Sequence, residues 1–189
     1  MDKKQRLTRI LHERSFRTGR FVLTSGKESH YYIDVRATST HGEGAAIIGD
    51  LLLDLVTEMG GVDAIAGMEL GAVPVAMGAV ARAADRGMNL DALLVRKGAK
   101  GHGAGKRVEG VIRPGMRVLV VDDVATTGGS TIKTIEAVLA EVPDAQIVGV
   151  VAIVDRQEGG TENLAEAGYT LRSLVKVEEL FALGEHPVD

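Results

Sequence analysis

Four short runs, apolar at nearly every position, restrict this chain to very few architectures. They lie at residues 64–66, 92–95, 117–121 and 147–154, and helix-length segments at 73–86 and 130–141 separate them. A strand that is apolar on both faces needs cover on both faces, which a parallel sheet between helices supplies. The alternation therefore predicts an α/β fold with a mostly parallel central sheet flanked by helices. Aromatic residues make up only 3% of the chain and tryptophan is absent, so Val, Leu, Ile and Ala must fill the core. Upstream, Leu7, Ile10 and Leu11 predict a helix over 3–13. Residues 21–34 read as a hairpin or irregular loop around Ser25-Gly26. A further helix is expected over 44–58, ended by Gly60-Gly61.

A length of 189 residues is that of one domain, 1–189, with at most a small appendage. The net charge of −4 gives no electrostatic case for binding nucleic acid. With no cysteine, disulfides, thiolate metal sites and cysteine nucleophiles are excluded. The first sixteen residues are charged throughout and lack the apolar centre of a signal peptide, and no apolar run approaches the roughly 20 residues that span a bilayer. The expected location is the cytoplasm.

The segment 117–131, RVLVVDDVATTGGST, carries the densest chemistry. An apolar strand leads into Asp122 and Asp123, then into a loop of small and hydroxyl residues, then into a helix. In open α/β sheets, ligands bind at the carboxyl ends of strands. Main-chain amides of Val124, Ala125, Thr126, Thr127, Gly128, Gly129 and Ser130, aimed by the following helix, make a phosphate cradle. Carboxylates repel phosphate but suit hydroxyls or a cation. A ligand bearing both phosphate and sugar hydroxyls, accompanied by Mg²⁺, satisfies both halves. The plainer reading is that the aspartates cap the helix and line a turn. Neither GxxxxGK[ST] nor a strand-borne GxGxxG is present.

This run of apolar residues, acidic pair and Thr/Gly loop resembles the ribose-phosphate loop of the type I phosphoribosyltransferases. Other segments resemble the orotate-specific branch of that family. Residues 21–36, FVLTSGKESHYYIDVR, are similar to its N-terminal segment, residues 67–74 to its diphosphate loop, 95–103 to its Arg-Lys pair and catalytic loop, 154–160 to its orotate-contacting segment and 173–180 to its usual ending. The resemblance implies a hood over the base from residues 1–40 and a mobile catalytic loop over 97–110. It implies ribose contacts from Asp122 and Asp123, orotate contacts from Thr126 and Arg156, and diphosphate contacts from Leu70 and Gly71. Lys100 would be the main catalytic lysine with His102 beside it, on a loop reaching a neighbouring subunit, which makes a homodimer with shared sites the expected assembly. Thr24 stands where the family often has lysine, with Lys27 nearby, and Leu70-Gly71 stands in place of a common Tyr-Lys.

The chemistry of these residues agrees independently. Arg96, Lys97, Lys100 and His102 can neutralise a departing diphosphate, and the glycines among them permit opening and closure. Arg156 can pair bidentately with the carboxylate of orotate. Tyr31 and Tyr32 either wall a flat base or serve as strand packing. Expected, then, is transfer of a phosphoribosyl group from 5-phosphoribosyl 1-diphosphate to orotate, with Mg²⁺ carried mainly by the diphosphate substrate and no metal ligands assigned to the protein. Two alternatives stay open: a phosphoribosyltransferase for another base, and a regulatory protein that binds the sugar diphosphate without catalysis.

Overall fold

The computed structural model describes residues 1–22, 26, 28–98 and 106–186. Helix α1 (Lys3–Ser15) begins with a reciprocal cap, in which the Asp2 carboxylate accepts the Gln5 amide at 2.7 Å and the Gln5 side chain accepts the Asp2 amide. Strands β1 (Phe16–Val22) and β2 (Glu28–Ile33) pair antiparallel, so the ambiguous segment is a hairpin. After the short α2 (Arg36–Ser39) and the long α3 (Gly42–Glu58), the chain enters its sheet.

The sheet elements are β3 (Ala64–Met68), β4 (Asp91–Val95), β5 (Val108–Glu109), β6 (Arg117–Ala125), β7 (Gln146–Asp155) and β8 (Leu171–Lys176). Their order is β5-β4-β3-β6-β7-β8, and every pairing is parallel except that of β5 with β4. The crossovers carry α4 (Ala72–Asp85), α5 (Gly129–Glu141) and α6 (Gly160–Glu166), and α7 (Val177–Phe181) follows β8.

Two apolar clusters lie on opposite faces of this sheet, and β6 divides its side chains between them. Leu119 and Val121 join Leu52, Leu53, Val75 and Ala79 of α3 and α4, whereas Val118 and Val120 join Ile135, Val138 and Leu164 of α5 and α6. Alternate residues of a strand face opposite sides, so a continuously apolar β6 is what two buried faces require. Helices α3 and α4 cross closely, because a Cβ on Gly49 would sit 2.8 Å from the Gly78 carbonyl oxygen. Asp50 of α3 binds Lys3 at 3.2 Å, Arg82 at 3.0 Å and Arg86 at 3.2 Å, joining three helices.

The predicted strands are all present, and β6 runs four residues beyond its expected end. Its extension pairs Val124 with Val154 and Ala125 with Asp155 of the ten-residue β7. Asp122 and Asp123 are therefore strand residues, not the first residues of the loop. Among the described residues, no helix is long and apolar enough to cross a membrane.

Candidate active site

The carboxyl ends of β3, β6 and β7 and the β1–β2 hairpin enclose a cavity of about 740 Å³. Asp122, Asp123, Val124, Thr126, Thr127 and Ser130 reach it from β6 and its loop. Leu70 and Gly71 line it between β3 and α4, Lys97 after β4, Arg156 after β7 and Tyr32 on β2.

Strand alternation gives the two aspartates different work. Asp122 points toward α5, where its carboxylate accepts the hydroxyls of Ser130 at 2.5 Å and Thr131 at 2.8 Å. It is only 5% exposed and holds the loop against the first turn of α5. To that extent the plainer reading of an acidic residue fastening a helix start describes Asp122. Asp123 lies against Gly71, where a Cβ would sit 2.0 Å from its carboxylate, and stays within hydrogen-bonding reach of the Asp122 side chain. Burial, and then the neighbouring Asp122 charge, push its carboxyl up to about 7. Such a group favours a ligand that brings hydroxyl donors or a cation.

The α5 N-terminus is shaped for an anion. Gly128 takes a left-handed φ of 77° and no side chain caps the helix. The amides that a capping side chain would otherwise satisfy are left for a ligand. The loop itself is braced from α6, where Asn163 donates to the Thr127 carbonyl at 2.9 Å, and from β7, where the Arg156 amide donates to Ala125. Ala125, 1% exposed, thus serves the loop through its carbonyl.

The tyrosine pair also divides. Tyr32 lines the cavity and packs on Phe21. Tyr31 packs against Phe16 and Phe181, while its hydroxyl reaches Arg156 and Glu158. Burial is the main cause that raises the Tyr31 hydroxyl above its usual pKa. Arg96 lies outside the cavity lining and reaches Glu109 of β5 at 3.4 Å. Gly128 and Gly129 shape the loop without lining the cavity. Lys27, Lys100 and His102 fall outside the described residues, as does Thr24.

Sequence reasoning passed over Asp34, Arg36, Glu69 and Glu158, all of which line the same cavity. Arg36 donates twice to Asp34, at 2.7 and 2.8 Å, which lowers the Asp34 carboxyl and raises the guanidinium; the Asp123 charge adds to the latter effect. Glu69 accepts the Lys97 amide at 2.9 Å, and the Glu69–Leu70 peptide is cis. The signal for the first pair was the Asp-x-Arg spacing directly after an aromatic strand.

Residues 37–174 match the sequence profile of the phosphoribosyl transferase domain. The chain belongs to the phosphoribosyltransferase family. It is similar to orotate phosphoribosyltransferases along nearly its whole length. An orotate phosphoribosyltransferase of Pyrococcus furiosus is 42% identical over 95% of each chain. One from Streptomyces avermitilis is also 42% identical, over 95% of this chain and 97% of the relative. Among solved structures, a Mycobacterium tuberculosis orotate phosphoribosyltransferase superposes with a TM-score of 0.82 at 35% identity, covering 95% of this chain and 99% of that one. A second structure of that protein, in complex with 5-phospho-α-D-ribosyl 1-diphosphate, gives 0.78 at 31% identity over 95% and 99% of the two chains.

Proposed function

We propose that this phosphoribosyltransferase transfers the phosphoribosyl group of 5-phosphoribosyl 1-diphosphate to orotate, giving orotidine 5′-phosphate and diphosphate in pyrimidine synthesis. The observation that carries the reading is a single cavity joining an uncapped helix N-terminus, a protonatable aspartate and an arginine. Those three features match the phosphate, the ribose hydroxyls and the carboxylate of the two substrates. The orotate-specific names of relatives at 42% identity over 95% of the chain support the choice of base.

The amides from Thr126 to Gly129, at the head of α5, hold the 5-phosphate. Asp123 accepts from the ribose hydroxyls, and Asp122 keeps the loop in register behind it. Amides at Leu70 and Gly71, with Lys97, receive the diphosphate. Thr126 and Arg156 orient orotate so that its N1 faces the anomeric carbon. As the bond from that carbon to the diphosphate oxygen lengthens, positive charge grows on the sugar and negative charge on the leaving group; N1 then forms the new bond. Positioning and stabilisation of developing charge account for the rate, and no covalent nucleophile is needed.

The donor set fits Mg²⁺ only as a companion of substrate. Among the described residues, no three His, Asp or Glu side chains could hold a metal together. Asp122 and Asp123 could give such an ion only part of the six oxygens it takes, so substrate oxygens and water would supply the rest. Held there, the ion would neutralise diphosphate charge.

By family resemblance, Lys100 and His102 belong to a catalytic loop that serves the site of a second copy, so the working unit is a homodimer. Exposed Leu70 at the cavity, and exposed Met77 on α4, add apolar surface for such a partner. The deciding experiment is an initial-rate assay with Mg²⁺ and 5-phosphoribosyl 1-diphosphate, offering orotate, uracil, adenine, hypoxanthine and guanine separately. Turnover with orotate alone is expected. Turnover with another base, and none with orotate, overturns the Arg156 assignment.

A further inference from the structure

Among the described residues, Arg156 is the cavity cation least accessible to water, with its side chain 6% exposed, and its guanidinium already has a partner. Nε donates to Oε1 of Glu158 at 2.8 Å, and Nη2 lies 2.8 Å from the same oxygen as an ion pair. The Tyr31 hydroxyl donates to that same oxygen at 3.2 Å, and Nη2 also reaches the Ser29 hydroxyl at 3.4 Å. The Tyr31 ring lies beneath the guanidinium, 4.4 Å from its centroid to the Arg156 Cζ.

The backbone compels this pairing. Asp155 accepts the Gln157 amide at 2.8 Å, and Gln157 adopts a left-handed φ of 58°, a conformation that side-chain-bearing residues rarely take. Gly159 follows at φ 90°. The turn places Arg156 and Glu158, two residues apart, at the same cavity. A buried guanidinium without an anion is strongly unfavourable, and within the chain Glu158 supplies that anion. Glu158 is a poor one. A well-matched carboxylate gives each guanidinium nitrogen its own oxygen, whereas here Nε and Nη2 both face Oε1, and the Glu158 side chain remains 40% exposed.

We infer that Glu158 is a resident counter-anion for Arg156, displaced by the carboxylate of the incoming base, and that its competition sets the affinity for that base. The inference rests on the proposed orotate reading. In the exchange, Arg156 trades a half-exposed carboxylate for a planar one that can offer two oxygens, and Glu158 turns to water. Glu158 is thus a specificity-determining residue that acts through Arg156. A bracing role, in which Glu158 merely holds the guanidinium in its working position, predicts the opposite sign.

Steady-state kinetics of Glu158→Gln, with orotate varied at saturating Mg²⁺ and 5-phosphoribosyl 1-diphosphate, separates the two roles. The KM for orotate should fall about fivefold, the scale of losing one partly exposed charge pair, while the KM for the sugar diphosphate stays as in the parent protein. Glu158→Asp, which keeps the charge but shortens the reach, should lower the orotate KM by a smaller factor. An orotate KM that is unchanged or raised in both variants, with orotate turnover intact in the parent, overturns the exchange alone. A parent protein that does not use orotate overturns the proposed function and the exchange together.

Discussion

At Asp123, catalytic fitness and stability pull in opposite directions. Its carboxyl keeps a proton up to about pH 7 in the folded chain, whereas an unfolded aspartate releases it near pH 3.9. Folding therefore takes up a proton between those values, so this group's contribution is most favourable below about pH 4 and is lost as pH rises toward 7. Asp123→Asn, neutral at every pH, should raise stability at pH 8 by about 1–2 kcal/mol, a figure reduced for residual contact with water. Thermal melts should show a gain of roughly 3–6 °C at pH 8 and little at pH 4. The same variant should lose about 10²-fold or more in turnover. An unchanged melting temperature at pH 8 would refute the strained-carboxylate account.

At the scale of elements, one strand and one loop meet with no room to spare. Asp123 leaves β6 on the α4 side, and Gly71 approaches it so closely that even a methyl group would overlap the carboxylate. Gly71 has an ordinary φ of −63°, so it is space, not backbone freedom, that requires glycine here. Gly71→Ala should leave far-ultraviolet circular dichroism intact while lowering kcat/KM for the sugar diphosphate about tenfold or more, because overpacking displaces either the aspartate or the loop. Retention of full kcat/KM would mean that the carboxylate can swing aside without loss. The extension of β6 through Ala125 explains why the two aspartates have different neighbours. Its partner β7 offers ladder positions up to Asp155, and on a strand, neighbours face opposite ways.

At the scale of the whole molecule, the assembly is open to a complementation test. Mixing Lys100→Ala and Asp123→Asn chains, each inactive alone, should restore up to about a quarter of parental activity if loop and aspartate come from different copies and subunits exchange at random. No recovery after subunit exchange, verified with mass-tagged chains, would assign each site to a single copy. The local sequence itself determined the parallel sheet, because strands apolar on both faces admit no other cover, and it determined a Thr/Gly loop at a strand end, whose residues are contiguous in the chain. It also marked Arg156 and the acidic pair. Other features depended on pairing and packing between distant segments: the length of β6, the separate duties of Asp122 and Asp123, and the division of Tyr31 from Tyr32. Strand β5 and helix α7 were likewise not legible, being short, and β8 carries Arg172, Ser173 and Lys176 among its apolar residues. Asp34, Arg36 and Glu158 look like ordinary surface charges along the chain. Only the meeting of the hairpin, β6 and the end of β7 makes them walls of a site, because burial and charge partners are properties of position in space.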